Sequence, residues 1–295
     1  MSVTIIVPTT CEAPRAAALE RAVLSVVSQL PAGGRVLVVA NGSRVDQTTL
    51  RKVAALPRTD VGRLEQGNVA QAQRYGRTRV ATPFFGFLDD DDEYLPGAID
   101  ARLSAMQDDE PDVVVTNGYA RDAEAEYPVV SHMEHVRADP LRSLLSENWL
   151  ASCSAMFRTA TVSETYFDGR TRFFEWTLIA YRIASTRTIR FVDAFTYRIH
   201  SSDASASKSA AYRAALPGVL GAIAALDLPD DVRAAVHAKI SHAEHVLSAQ
   251  YLEAGQWRSA MRHHLRSLIG RGGLRFLPYS RRLLFPRMRD ETPSP

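Results

Sequence analysis

The stretch Phe84–Pro96, FFGFLDDDDEYLP, places four consecutive aspartates directly after an aromatic and aliphatic run. The run Phe84–Leu88 has the apolar character of a strand buried in a sheet. Four adjacent carboxylates repel one another, and at a ligand-binding sheet edge they are costly unless a cation neutralises them. Asp89–Asp92 therefore fit two interpretations: a solvated acidic turn, or a site for Mg²⁺ or Mn²⁺, which prefer oxygen ligands.

Similar apolar runs recur through the first two thirds of the chain and alternate with helical patterns. Val3–Val7 and Val36–Ala40 are rich in β-branched residues, as strands buried on both faces are. Apolar residues recur at helical spacing between Arg15 and Leu30. The remaining predicted elements are strands at Asp60–Leu64, Asp112–Thr116, Ser152–Phe157 and Ile189–Tyr197, and helices at 67–81 and Glu175–Ala184. This alternation predicts an α/β fold with a mostly parallel central sheet, in which ligands bind beyond the carboxyl ends of the strands.

The last third of the chain differs in composition. Ser201–Ala210 is small and polar, as linkers are, so we divide the chain into a domain at 1–207 and a C-terminal α-helical region at 208–295. The helices predicted in that region are 209–226, 230–254 and 256–269.

The C-terminal region ends in a basic tail. From Arg258 to Arg289 the sequence has nine arginines, no acidic residue, and interleaved leucine, phenylalanine and isoleucine. This pattern fits a solvated basic face, and it also fits contact with an anionic inner-membrane surface. The tail carries no recognisable nucleic-acid-binding motif, so no nucleic-acid partner is expected.

Composition and cysteine usage favour a soluble protein. Apolar residues make up 46% and charged residues 23% of the chain, which excludes wholesale disorder, and the net charge is only +2. Cys11 and Cys153 lack ligand-like spacing, which predicts neither a disulfide framework nor a zinc site. No window reaches the ~18 consecutive apolar residues of a spanning helix, and no signal-peptide pattern is present. The expected location is cytoplasmic, at most peripheral at the membrane's cytoplasmic face.

A series of motifs in a fixed order resembles the family 2 inverting glycosyltransferases of the GT-A fold. IIVPTT, VVANGS, GNVAQAQRYG and FFGFLDDDDEYLP resemble the V-P-T-x-N, V-x-N-G-S, A-x-N-x-G and F-L-D-x-D-D-x-x-x-P patterns of that family's nucleotide-binding half. ASCSAMFRTATV, FFEWTLIAYRIA and YRIHSSDAS resemble its acceptor-side strand, catalytic helix and Y-R-x-H segment. The resemblance covers about residues 1–207 and implies a GT-A type Rossmann-like domain that binds a nucleotide-activated sugar with a divalent cation.

The resemblance implies a set of donor-binding positions at the strand ends and the base-side helix. These positions are Pro8, Thr9, Thr10, Asn41, Asn68, Arg74, Asp89, Asp90 and Arg198. Asn41 matches the residue that contacts the nucleotide base, but the preceding position, usually Asp, is Ala40 here, which leaves the base open. For Asn68 and Arg74 the alternatives are a helix cap and a surface arginine.

Within the acidic run the resemblance gives each aspartate a different role. Asp89 aligns with the carboxylate near the ribose, and Asp91 with the metal ligand that bridges the diphosphate. Asp92 is the ligand if the register shifts by one residue, and Asp90 can be a solvated spacer. His200 in YRIH corresponds to a histidine that reaches the metal or the leaving diphosphate.

Glu175 is the expected catalytic base. It lies between Phe174 and Trp176, and an apolar setting raises the pKa of a carboxyl group. The alternative is a helix N-terminal carboxylate favoured by the helix dipole. In the family the base is usually the Asp of a Glu-Asp pair. The pair here is Phe174-Glu175, so the base is one methylene longer and has no acidic neighbour. The residues expected on the acceptor side are Trp149, Ser152, Ser154 and Trp176, with core packing as the alternative for Trp149.

These patterns lead to one main functional hypothesis. The chain is expected to be an inverting glycosyltransferase that moves a sugar from a nucleotide-sugar donor to a sugar or lipid-linked acceptor in cell-envelope polysaccharide or glycoconjugate synthesis. Ser201–Ala210 is a candidate lid over the donor. An inactive nucleotide-binding module for membrane or protein interaction is the alternative that the Ala40 and Phe174 departures keep open. A sugar-phosphate nucleotidyltransferase is disfavoured, because no glycine-rich phosphate loop with a following lysine is present near the N-terminus.

Overall fold

Buried apolar runs produce the strands of the first of two units, Met1–Ser205 and Ala206–Pro295. A computed structural model describes residues 1–122, 125–167, 172–200 and 209–284. The strands are β1 Val3–Thr9, β2 Arg35–Asn41, β3 Thr59–Leu64, β4 Phe84–Phe87, β5 Glu93–Tyr94, β6 Val113–Arg121, β7 Glu126–Pro128, β8 Ala155–Arg158 and β9 Ile189–His200. The helices of this unit are α1 Ala16–Val27, α2 Gln47–Ala54, α3 Val69–Thr78, α4 Ala98–Ala105, α5 Met133–Ala138, α6 Pro140–Ser143 and α7 Glu175–Thr186.

The strands form one sheet in the order β3-β2-β1-β4-β8-β6-β9-β5, with β7 paired to β6. The β3-β2-β1-β4 segment is parallel and in register, with Ile6 opposite both Leu37 and Phe87. β8 is antiparallel to both of its neighbours, whereas β6 and β9 are parallel. The carboxyl ends of β1, β2 and β4 therefore meet at one edge, where parallel sheets bind ligands. The expected α/β fold with a mostly parallel sheet is confirmed.

The two faces of the sheet bury different side chains. On one face Val3, Ile5 and Val7 pack with α1 and α4 in a mainly aliphatic core. On the other face Phe85 and Phe157 stack with ring centroids 5.1 Å apart. Two packed layers of helices on one sheet explain why the strand sequences are apolar on both sides.

One predicted strand is partly wrong. Ser152–Ser154 forms a 3-10 turn, and only Ala155–Arg158 is extended. The Ser154 hydroxyl accepts a hydrogen bond from the Ala151 amide at 3.0 Å, a local bond that competes with strand pairing. The other predicted strands and helices are present, with ends shifted by a few residues.

The second unit is helical within the residues that the structure describes. Its elements are α8 Ala210–Ala224, α9 Asp230–Glu253, α10 Trp257–Ile269, a 3-10 helix at Gly273–Tyr279 and α11 Ser280–Leu284. α9 and α10 approach each other closely at small residues. There the Ser248 hydroxyl on α9 donates to the Ala260 carbonyl on α10 at 2.8 Å. The three helices predicted from the sequence in this region are confirmed. Across the described part of the chain, no helix has the length and apolarity that a membrane span requires.

Candidate active site

Asp90 organises the amino end of the acidic run. Its side chain is only 5% exposed, and it accepts a hydrogen bond from the Thr9 hydroxyl at 2.5 Å. Arg15 binds it through two nitrogens, with Nε 2.8 Å from Oδ2 and Nη2 on Oδ1. The expectation that Asp90 is a solvated spacer is therefore wrong. The Thr9 hydroxyl has a second structural partner, because its oxygen also accepts a hydrogen bond from the Cys11 amide at 2.8 Å.

Arg15 supplies a positive charge that sequence reasoning missed. It follows the end of β1, and Nη2 also lies 3.1 Å from Asp91 Oδ2. The hydrogen bond to Asp90 raises the pKa of the guanidinium above its already high value, so Arg15 stays charged. Arg21 adds a bond to the Asp91 carbonyl at 2.5 Å. The run is thus partly neutralised by side chains 70 to 76 residues away in sequence, which no local pattern reveals.

Asp89 and Asp92 lie in surroundings that favour their protonated forms. Asp89 is half-buried, and burial, with the nearby charges of Asp91, Asp90 and Glu175, raises its pKa to about 7 against a hydrogen bond from Ser152. Asp92 is 4% exposed, and burial raises its pKa well above the usual range. A bound cation would offset this effect of burial and favour the ionised form of both carboxylates.

Asp92 ties the run to the end of β9. Its Oδ1 accepts the His200 amide at 3.0 Å, and its Oδ2 lies 3.8 Å from the Cys153 sulfur. The expected neighbourhood of His200 and the acidic run is therefore present. The side chain of His200, however, points its Nε2 at Glu93, 3.3 Å away. Arg198 binds Glu93 at 2.6 Å and Glu126 at 2.5 Å, so Glu93 is shared by both candidate diphosphate contacts and Arg198 has a second carboxylate partner.

Glu175 is the first residue of α7 and follows a constrained turn. Phe173 and Phe174 both have positive φ, 71° and 56°, a backbone region that costs non-glycine residues free energy and that clusters at functional sites. The Phe173 amide donates to Glu175 Oε1 at 2.8 Å. Burial raises the pKa of the Glu175 carboxyl despite the amide bonds that oppose it. Trp176 packs edge-on to Phe87, with centroids 5.3 Å apart, which anchors the start of α7 to the sheet.

Several predicted site residues have structural roles. Asn68 caps α3, its Oδ1 accepting the Ala70 amide at 2.9 Å. Trp149 is fully buried and donates to the Pro140 carbonyl, so core packing is the correct alternative. Ser154 is fully buried on Ala151, which is inconsistent with an acceptor contact.

The remaining predicted positions lie at the strand ends or on the surface. Asn41 donates to the Thr9 carbonyl at 2.9 Å and so joins the ends of β1 and β2. Pro8 is buried in β1, Thr10 is half-buried beyond it, and Arg74 is exposed on α3. Ser152 is buried against Asp89 and belongs to the site, but on the donor-side carboxylate.

Arg102 is a second cation that the sequence did not reveal. It is fully buried on α4, and its Nη2 donates to the Cys153 carbonyl and to Thr196, each at 2.6 Å. The guanidinium carbon lies 4.5 Å from the Tyr94 ring centroid. Its partners come from β5, β9 and the turn after Ala151, so Arg102 joins the elements that carry the acidic run and the Y-R-I-H segment. The only sequence signal is an arginine at an apolar position of a helix.

Asp89 and Asp91 are the carboxylates that fit a divalent cation. Asp91 is 41% exposed and open to an entering ion. Burial and the neighbouring carboxylates disfavour the ionised form of Asp89, and a cation would offset that effect. Magnesium commonly binds one or two carboxylates together with substrate phosphates, so the pair suffices. Among the described residues, three convergent ligand atoms within 4.8 Å occur only at His132, Glu134 and His135, which are exposed.

The parallel sheet that continues into antiparallel strands, with an acidic run beyond β4, defines the GT-A fold. A family model described as glycosyl transferase family 2 matches residues 4–191, more than half of the chain. The chain belongs to this family, and it is a glycosyltransferase. No curated protein matches the chain.

Solved structures of TarS from S. aureus are similar to the chain. TarS 1-349 has a TM-score of 0.59 at 13% identity, with 91% of each chain covered. Its complex with UDP-GlcNAc has a TM-score of 0.57 at 13% identity, again with 91% of each chain covered. A further structure of S. aureus TarS has a TM-score of 0.58 at 18% identity. The match covers 83% of the present chain and 43% of that TarS chain. At these identities the likeness shows the fold alone.

Proposed function

We propose that the chain is an inverting glycosyltransferase with Glu175 as its general base. The acceptor hydroxyl loses its proton to Glu175 while its oxygen forms a bond to the anomeric carbon. The bond from that carbon to the diphosphate oxygen breaks, and the nucleoside diphosphate leaves with the electron pair. No covalent glycosyl–enzyme intermediate is needed. One observation supports the proposal: Trp176, the residue after Glu175, packs on Phe87 with ring centroids 5.3 Å apart, and Phe87 ends β4 just before the acidic run.

The proposed donor is a nucleotide sugar bound across the ends of β1, β2 and β4. The TarS complexes with UDP-GlcNAc and UDP support this ligand class. Asp89 and Asp91 would hold Mn²⁺ or Mg²⁺, which supplies neutralisation of the charge that develops on the departing diphosphate. Arg198 and His200 would turn from Glu93 towards the same phosphates, because anions attract both side chains.

The proposed setting extends to partners and location. The catalytic domain is 1–207, and the acceptor is a sugar or lipid-linked saccharide of a cell-envelope polysaccharide or glycoconjugate. The enzyme would act in the cytoplasm, peripherally at the inner membrane. Ser201–Ala210 is the proposed lid over the donor. Residues 201–208 of this segment lie outside the described residues.

A donor screen tests the proposed chemistry. Release of nucleoside diphosphate from a panel of nucleotide sugars is measured with Mn²⁺ or Mg²⁺ and an acceptor mixture. Glu175→Gln is expected to lower kcat by about 10²–10⁴-fold, because the amide cannot take the proton. Glu253→Gln makes the same change at an exposed glutamate at the end of α9 and should retain full activity. Proton NMR of the product should show the anomeric configuration opposite to that of the donor.

The outcomes separate the competing functions. If the wild type and Glu175→Gln bind nucleotide equally and neither releases diphosphate, the chain is a binding module instead. Release of pyrophosphate from a nucleoside triphosphate and a sugar phosphate would identify a nucleotidyltransferase. Retention of donor configuration would reject the single displacement.

A further inference from the structure

Exposed apolar side chains concentrate in one short segment of the second unit. Twelve large apolar side chains are exposed in the described chain. Six of them belong to Trp257–Leu284, which is about a tenth of the chain. Ile269 is 87% and Leu274 75% exposed, the highest values of the set. Single exposed leucines are ordinary on protein surfaces, but such a concentration marks an interaction surface.

Leu265 and Ile269 share one face of α10 with arginines. The buried face of α10 carries Ala260, His264 and Ser267, which point towards the rest of the unit. The exposed side chains recur at intervals of three and four residues, so they form a single stripe along the helix. The members of the stripe are Arg258, Arg262, Leu265, Arg266 and Ile269.

Two further exposed leucines follow the end of α10 within a few residues of the stripe. Gly272 has a φ of 69°, and Gly273 lies so close to the Ser267 carbonyl that no side chain fits there. This tight turn sends the chain directly into the 3-10 helix that exposes Leu274 and Leu277. Between Arg258 and Leu284 the sequence contains seven arginines and no acidic residue. The surface is therefore apolar and strongly basic together.

We propose that this surface, the α10 stripe with Leu274 and Leu277, docks on an anionic lipid bilayer and inserts its apolar side chains among the headgroups. Arginines attract anionic lipids, and exposed leucine and isoleucine gain from leaving water. A nucleic acid would satisfy the arginines but leave Ile269 and Leu274 in water, so it is the less complementary partner. The inference rests on the proposed function in one respect: membrane binding would bring the enzyme to a lipid-linked acceptor.

Vesicle binding of the full chain tests the proposal. Co-flotation is measured on phosphatidylcholine vesicles with and without about one third phosphatidylglycerol, at low and high ionic strength. Binding at least about tenfold tighter to the anionic vesicles is expected, weakening as salt rises. Arg258→Gln with Arg262→Gln should weaken binding by about tenfold or more. Ile269→Ser with Leu274→Ser should weaken it further at high salt, where the apolar contribution dominates.

Matched controls keep the result specific to this surface. Arg51→Gln with Lys52→Gln removes two exposed charges from α2, and Leu24→Ser with Val246→Ser removes two exposed apolar side chains elsewhere. Both controls should bind like the wild type. Trp257 is 45% exposed at the start of α10, so brominated lipid should quench its fluorescence in a Trp149→Phe, Trp176→Phe background.

Two results would overturn the proposal: no binding to anionic vesicles at low salt, or equal losses in the control variants. Salt-dependent binding of an RNA oligomer with no vesicle binding would assign the arginines to nucleic acid and would also overturn it. The assay contains no nucleotide sugar or acceptor, so it is independent of catalysis. Glu175→Gln should bind vesicles normally, and the surface variants should release diphosphate normally with a soluble acceptor.

Discussion

Glu175 and Asp89 are carboxyl groups whose pKa values the fold raises for the same main reason, burial. A raised pKa stabilises the protonated form and makes the ionised form a stronger base. In the proposed mechanism a bound cation would lower the pKa of Asp89 again, whereas Glu175 would keep its raised pKa and take the acceptor proton. The same physical cause thus suits two different tasks.

The pH dependence of kcat follows from the raised pKa of Glu175. Only ionised Glu175 can accept a proton, so activity should fall as pH drops through a value above 4.5, the ordinary glutamate pKa. Diphosphate release measured from acidic to neutral pH gives this limb. Glu175→Gln should leave a residual rate without that limb. A limb at or below the ordinary value would contradict a buried base.

Asp90 and Asp91 are neighbours whose removal should destabilise the protein to different extents. Asp90→Ala leaves the buried Thr9 hydroxyl and Arg15 without their shared partner, which should lower the free energy of unfolding by about 1–3 kcal/mol. Asp91→Ala removes a partly exposed carboxylate and should cost less than about 1 kcal/mol. Urea unfolding measures both. A larger loss for Asp91→Ala would mean that Asp90 is not the organising residue.

The sequence predicted where site residues lie better than what they contact. Asp89, Asp91 and Asn41 follow buried parallel strands, and the carboxyl ends of such strands share one edge. Arg15 and Arg102 could not be foreseen, because their partners lie 75 and 51 residues away. Asp90 shows the limit most directly. Its neighbours are also aspartates, so the sequence gave no sign that Asp90 is the one bound by both Arg15 and Thr9.

At the scale of elements, predictability followed the strength of the local pattern. β1 and β2 have almost continuous apolar centres and were located within a residue or two. α4 was missed because Arg102 interrupts its buried face, and a charge at that position hides the helical period. α2 was missed because it has only eight residues, although Asp46 caps it. The 3-10 turn at Ser152–Ser154 depends on a side-chain bond that periodicity does not register.

The second unit contains a histidine that its fold keeps neutral. His245 on α9 stacks on Phe276 with centroids 4.1 Å apart and packs edge-on to Tyr279. Burial, with His264, His242 and Arg275 around it, lowers its pKa. The unfolded chain therefore binds a proton more readily than the folded one at mildly acidic pH.

Acidification should destabilise this unit. The contribution of His245 is complete above the unfolded pKa of about 6.5 and is lost as pH falls towards the lower folded value. The midpoint of this unit should therefore fall on acidification, by about 4–8 °C for each 1 kcal/mol of stability lost. Thermal melts at several pH values measure it. His245→Phe should flatten the dependence, and His237→Phe, an exposed control on α9, should not. An unchanged slope for His245→Phe would contradict the assignment.

At the scale of the whole molecule, the proposed nucleotide and membrane sites belong to different units. Every candidate donor contact lies in Met1–Ser205, and the basic apolar surface lies in Ala206–Pro295. The composition of the sequence anticipated this separation, because acidic motifs and the arginine cluster occupy different parts of the chain. A ligand that binds only one unit should stabilise that unit directly.

Thermal unfolding followed by tryptophan fluorescence, with and without a nucleoside diphosphate and Mn²⁺, tests this separation. At about 100 times the Kd, binding adds about 2.7 kcal/mol, which raises the midpoint of a unit of about 200 residues by about 5–10 °C. The transition reported by buried Trp149, in a Trp257→Phe variant, should shift by this amount. The transition reported by Trp257, in a Trp149→Phe, Trp176→Phe variant, should stay within about 1 °C and should instead fall on acidification with the His245 contribution. Equal shifts of both transitions would mean that the units unfold as one cooperative body and that nucleotide binding is felt across the whole chain.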